Sequence, residues 1–140
     1  MARLPAICAV VGALALGALG AAGCGDGGVL GEPATGTIHI TYVPEPERTP
    51  READLACPAD DPDGRMACEQ IESLSGAFDP VPGDRACTEI YGGPEQITLV
   101  GTWAGEPVDT ILTRTNGCEI DRYESLAPVL LPLVGGPGGG

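Results

Sequence analysis

The stretch Gln96-Ile97-Thr98-Leu99-Val100-Gly101-Thr102-Trp103-Ala104-Gly105-Glu106-Pro107-Val108-Asp109-Thr110-Ile111-Leu112-Thr113-Arg114 decides the fold. β-Branched and large apolar residues fill both arms, and Ala104-Gly105-Glu106-Pro107 interrupts them, which predicts two strands joined by a turn. Upstream, Thr37-Ile38-His39-Ile40-Thr41-Tyr42-Val43 alternates apolar and polar residues and predicts a strand with one buried face. His39, the single histidine, reads as an outward strand residue. Pro44-Glu45-Pro46-Glu47-Arg48-Thr49-Pro50 reads as a loop, and Ala53-Asp54-Leu55-Ala56-Cys57 carries a fainter strand signal.

Asp60-Asp61-Pro62-Asp63 predicts a helix start, with Asp at the cap and Pro in the first turn. That helix runs to about residue 73 or 74, with Ala67, Ile71 and Leu74 on one apolar stripe and Gly76 beyond its end. Residues 126–131 read as a last apolar strand, placed at an edge or bulge by Pro128. The sum is an α+β domain: an antiparallel sheet of about five strands with one or two helices on one face.

The N-terminus reads as an export signal over residues 1–23: Arg3, then a run rich in Ala, Leu and Gly. A membrane-spanning anchor fits less well, because the run is short and Gly-rich. Its glycines follow no strand, which argues against a nucleotide-binding loop. Ala21-Ala22-Gly23-Cys24 is similar to a bacterial lipoprotein cleavage box, which would place a lipid on Cys24 and anchor the protein to the outer face of the cell membrane. Ordinary secretion, with Cys24 free or paired between molecules, is the alternative. Residues 24–36 then form a Gly-rich tether, 37–131 one small domain, and 132–140 a disordered Gly-rich tail. A domain of that size buries only roughly 60 to 65% of its unfolded surface, so staples matter.

The chain holds 20 acidic residues against 7 basic ones, a net charge of −13. Such a surface disfavours nucleic acid, and beyond solubility it identifies no partner. One histidine and no metal-spaced His or Cys set argue against an enzyme and against any metal or cofactor. Of six cysteines, Cys8 leaves with the signal and Cys24 takes the lipid. Cys57, Cys68, Cys87 and Cys118 remain, and sequence alone allows three pairings.

Cys87-Thr88-Glu89-Ile90-Tyr91, then Gly101-Thr102-Trp103-Ala104-Gly105, then Asn116-Gly117-Cys118 carry a resemblance to the bacterial subtilisin inhibitor-like family of secreted serine protease inhibitors. It extends from about residue 37 to 130 and is loose in the first half. The resemblance implies a fold of five strands and two helices, the pairings Cys57–Cys68 and Cys87–Cys118, and a rigid substrate-like loop. It makes Glu89–Ile90 the reactive bond, flanked by the protease-contact residues Cys87, Thr88 and Tyr91. Asn116 corresponds to an asparagine that supports the loop, although Asn116-Gly117 equally suits a plain turn. The implied partner is an extracellular serine protease, and a homodimer through the sheet stays open.

Four departures stand out. Family members usually carry Met, Lys or Arg where Glu89 stands, and a bare carboxylate is costly in an apolar pocket. Glu89 excludes trypsin-like targets and points to a Glu-accepting protease, with weak inhibition of broad subtilisins or loss of inhibition as alternatives. Tyr91-Gly92-Gly93-Pro94 is one residue longer than the family pattern, and the Cys57–Cys68 span is shorter. Glu95 and Gln96 stand where apolar residues are usual. A non-inhibitory surface lipoprotein, using the same scaffold as a binding module, is the second reading.

Overall fold

A computed structural model describes residues 32–135. Strands β1 (Gly36–Val43), β2 (Arg51–Cys57), β3 (Gln96–Trp103) and β4 (Glu106–Leu112) form one antiparallel sheet in the order β2-β1-β3-β4. Helices α1 (Pro62–Ser73) and α2 (Gly117–Leu130) complete an α+β fold. The sheet has four strands among the described residues, close to the expected count of about five.

The register explains the alternation. Ile38 lies opposite Leu55 and Gly101, Ile40 opposite Leu99, and Ile97 opposite Leu112, so these side chains share one face. That face is buried with Ala67 and Ile71 of α1 and Tyr123, Leu126 and Leu130 of α2 in a single core. Burying one such Ile or Leu side chain stabilises by about 1.5–3 kcal/mol. The opposite face, with Thr37, His39, Asp54, Val100, Asp109 and Ile111, stays exposed.

Helix α1 begins as expected, with the Asp61 side chain accepting from Gly64 N at 2.7 Å. Such a cap satisfies one of the orphan N–H groups of the first turn. Ala67 and Ile71 are buried, Leu74 is half-buried, and Gly76 follows at φ +67°. The β3–β4 turn is tighter than predicted. Only Ala104 (φ +50°) and Gly105 (φ +83°) turn the chain, both at positive φ as in a type I′ hairpin. Glu106 and Pro107 already belong to β4, an edge strand where a residue without N–H is tolerated.

Gly101 has a different reason to be glycine: a Cβ there would sit 2.0 Å from the Thr37 carbonyl oxygen of the neighbouring strand. Trp103 is half-buried and meets Phe78 edge-on at 5.7 Å.

One element departs from the sequence reading. Residues 126–131 are not a strand; Leu126–Leu130 is the end of α2. Tyr123, Leu126, Ala127 and Leu130 recur at helical spacing, and all four are buried. Pro128 lies on the exposed side, where the lost hydrogen bond to the preceding turn is least costly. The packed chain also runs past the predicted boundary at Leu131, since Val134 is buried in the core. At the other end, Ala34 N–H donates to Glu72 and Thr35 O accepts from Ala104, ahead of β1. The export signal, Cys24, most of the tether and residues 136–140 lie outside the described residues.

Candidate functional site: the loop braced by Cys87

Two disulfides join Cys57 to Cys68 and Cys87 to Cys118, with Cα separations of 5.8 and 5.4 Å. Their loops span 11 and 31 residues. On loop-closure entropy they contribute about 3 and about 4 kcal/mol respectively. The first pins β2 to α1. The second ties an irregular segment to the first turn of α2.

That segment, residues 85–93, has no regular secondary structure, yet it is held at several points. The disulfide fixes Cys87, which is half-buried. One residue on, Gly117 N–H donates to Thr88 O at 2.9 Å. On the far side, Gly92 N–H donates to Arg114 O at 2.7 Å. Between the two hydrogen bonds stand Glu89, Ile90 and Tyr91, all exposed, with Ile90 at 58% and Tyr91 at 66%. Single exposed apolar residues are common on protein surfaces, but here Ile90 and Tyr91 are adjacent. Here the backbone on both sides is fixed and the side chains between are left outward.

The first turn of α2 is the platform for this loop. Its N-cap is Asn116, whose carboxamide oxygen accepts from Glu119 N at 3.0 Å. Among the described residues no hydrogen bond joins the Asn116 side chain to the loop; the loop is held by its neighbours instead. A Cβ on Gly117 would lie 2.1 Å from Thr88 Oγ1, so the Thr88 side chain rests on that glycine. A Cβ on Gly92 would lie 3.0 Å from the Ile120 side chain and 3.1 Å from Arg114 Cβ. The extra residue in Tyr91-Gly92-Gly93-Pro94 is thus accommodated by close glycine packing, with Gly93 at φ +144°.

Arg114 is a residue that sequence reasoning missed. Its guanidinium pairs with Glu95 at 3.3 Å and Glu124 at 3.6 Å, and lies over the Tyr123 ring at 5.6 Å. Its Nε is buried without a partner, so the hold comes from the terminal nitrogens. Burial first, then the neighbouring Tyr42 and Glu95, pushes the Tyr123 phenol up to about 12, against the opposing pull of Arg114. Nothing in a one-dimensional pattern links residues 95, 114 and 124.

Arg122 is a second missed residue. It donates to the carbonyls of Ile111 (3.0 Å) and Phe78 (3.4 Å) and to Thr110 Oγ1, and pairs with Glu119 at 3.3 Å. It clamps α2 to β4 behind the loop.

Elsewhere, His39 is exposed, as predicted, and its Nδ1 meets Asp54 Oδ1 at 2.8 Å directly across the β1–β2 ladder. Among the described residues no three His, Cys, Asp or Glu side chains could hold a metal ion, and no helix is long and apolar enough to cross a membrane.

The geometry is that of a short outward segment held on both sides, and comparison with known proteins shows the family of the chain. The family model described as subtilisin inhibitor-like matches residues 35–116, a range that includes all four strands, α1 and the loop. Subtilisin inhibitor-like protein 8 from Streptomyces virginiae is 40% identical over 62 residues, covering 41% of this chain and 54% of that protein. The chain therefore spans about half the length of this curated relative. Fold, disulfide pairing and family match converge: the chain belongs to the subtilisin inhibitor-like family.

Proposed function

We propose that this protein inhibits an extracellular serine protease by offering it Glu89–Ile90 as a bond that is cut poorly and readily re-formed. The observation that carries this reading is the run of exposed side chains from Thr88 to Tyr91, slung between the Gly117–Thr88 and Gly92–Arg114 hydrogen bonds beside a disulfide. A protease needs an extended substrate, and a free peptide loses about 1–2 kcal/mol per residue in adopting that shape. A loop already fixed has lost that freedom before binding, so the same contacts give tighter association.

Glu89 then sets the target. Its carboxylate is repelled by a pocket that ends in a carboxylate and fits one lined by cations or several donors. The reading is therefore a Glu-accepting enzyme, with broad-specificity subtilisins bound weakly. The test is a protease panel with wild type, Glu89→Met and Glu89→Lys. Wild type slows a Glu-accepting protease, the Met variant shifts toward subtilisins and the Lys variant toward trypsin-like enzymes. If none of the three slows any serine protease, inhibition is not the function, and the family scaffold serves as a binding module.

Two further expectations belong to the same reading. With Cys8 removed in the signal and four cysteines paired, Cys24 is left over, which supports its lipidation and an outer membrane-face location. Mass measurement of membrane-extracted protein decides that. The sheet face that no described element covers, with Val100 and Ile111 about half exposed, supports a homodimer; sedimentation of the purified protein decides it.

A further inference from the structure

The two sides of the Glu89–Ile90 bond are secured by different means. The acyl side is anchored covalently through Cys87–Cys118 and by the Thr88 hydrogen bond. The amine side, from Ile90 to β3, contains no cysteine. Ile120 packs beneath Gly92, and the polar hold comes from Arg114. Its carbonyl takes the Gly92 N–H, and its Cβ sits 3.1 Å from the position a Gly92 Cβ would occupy. Its Nη1 reaches Glu95, on the stretch leading into β3, while its Nη2 reaches Glu124 on α2. One residue thus joins the segment after the reactive bond to the helix that carries the segment before it.

We propose that Arg114 is a positioning residue for re-forming the Glu89–Ile90 bond, a role that rests on the inhibitor reading above. When the protease serine Oγ attacks the Glu89 carbonyl carbon, the C–N bond breaks and the Ile90 nitrogen leaves as an amine, taking up a proton. An ester now joins the serine to Glu89. Water can hydrolyse that ester and leave the chain cut. Alternatively the Ile90 amine attacks the same carbon, gives up its proton, and expels the serine hydroxyl, which restores the intact chain. The second path wins only if the amine stays within reach, as effective concentration requires. By holding Gly92 and Glu95, Arg114 keeps it there. The Arg114 and Glu95 side chains are 24% and 29% exposed, so salt screens the pair partly.

The experiment incubates the purified protein with catalytic amounts of an active serine protease that it inhibits and measures the equilibrium ratio of cut to intact chain. Wild type is compared with Arg114→Met, which keeps an apolar stem, with Glu95→Gln, and with Arg114→Lys as the conservative replacement. Melting temperature and amide exchange at Gly92 and Gly117 are followed alongside. The expected result for Arg114→Met is an increase in the ratio of about fivefold, the effect of losing a partly exposed ion pair. Glu95→Gln moves the same way, Arg114→Lys recovers part of the loss, and raised salt moves wild type toward the variants. Gly92 exchanges faster in Arg114→Met while Gly117 does not. A purely structural arginine lowers the melting temperature and leaves the ratio and its salt dependence alone, and that result overturns the proposal. If Arg114→Met fails to fold, Glu95→Gln and Arg114→Lys decide by the same ratio. Wild type that binds no serine protease overturns the inhibitor reading and the religation role together; wild type that inhibits beside variants of unchanged ratio overturns the role of Arg114 alone.

Discussion

Replacing Cys87 and Cys118 together by serine separates two things the bridge does. Its loop spans 31 residues, and the loop-closure relation gives a loss of about 12 cal/mol/K, or about 4 kcal/mol at 25 °C. The Cys57/Cys68 pair closes 11 residues and gives about 3 kcal/mol. Both losses are large beside the roughly 5–15 kcal/mol stability of a typical domain, and they are similar to each other. The matching double replacement of Cys57 and Cys68 is therefore a built-in control for stability. It leaves Cys87–Cys118 and the two hydrogen bonds around Glu89 in place. Denaturant midpoints give the stability of each variant, and inhibition is then measured under conditions where both are folded. The expected outcome is that the Cys57/Cys68 variant inhibits nearly as wild type, whereas the Cys87/Cys118 variant becomes a substrate cut at Glu89–Ile90. Equal inhibition by the two folded variants would refute the claim that this bridge freezes the loop.

Other outcomes follow from the same structure. Gly101→Ala drives a Cβ to within 2.0 Å of the Thr37 carbonyl, so the β1–β3 ladder must shift, and thermal unfolding should show a loss of about 1–3 kcal/mol. Arg122→Met strands carbonyls and the Glu119 carboxylate behind the loop and should cost about 1–3 kcal/mol in denaturant unfolding; an unchanged midpoint would show that the clamp is redundant. The Asp54 hydrogen bond above all, opposed by desolvation and helped by the negative charges of Asp54 and Glu52, raises the His39 pKa above its usual 6.5. A raised folded-state value means that the pair stabilises below about pH 6.5 and that this advantage disappears as pH rises through the folded value. Wild type should therefore out-melt His39→Gln in mild acid and match it in mild alkali; a difference that persists or grows with pH would contradict the assignment.

The sheet was legible because its determinants are local. Alternation in residues 37–43 and 96–103 marks strands whose apolar residues meet in register, and Asp61-Pro62 marks the start of α1 through a cap that reaches only three residues ahead. The Gly101-Thr102-Trp103-Ala104-Gly105 motif resolves into separate needs: close strand approach at Gly101, packing on Phe78 at Trp103, and positive φ at Gly105. Helix α2 was misread because Pro128 and the Leu-rich run around it resemble a strand, while the helical stripe that decides the matter starts upstream at Tyr123. Arg114 and Arg122 were invisible for a different reason. Their partners lie on separate elements, and only the folded chain brings Glu95, Glu124 and Tyr123 around one guanidinium, or Phe78 and Ile111 around the other.

The misread helix turns out to matter most for the site. Cys118, Gly117 and Ile120 all come from the first turn of α2, and each touches a different part of the loop: the bridge, the Thr88 carbonyl, and the packing beneath Gly92. None of these contacts involves the side chain of Glu89. The frame is therefore built without reference to the residue it displays, and a change at position 89 can alter which cleft the loop enters without loosening what holds it. On the proposed inhibitor reading, the unusual Glu89 then selects the target enzyme without weakening the frame. If Glu89→Met gained subtilisin inhibition while Gly92 and Gly117 kept the amide protection of wild type, frame and specificity would be independent. If the amides lost protection as well, the carboxylate would be part of the frame, and the separation argued here would fail.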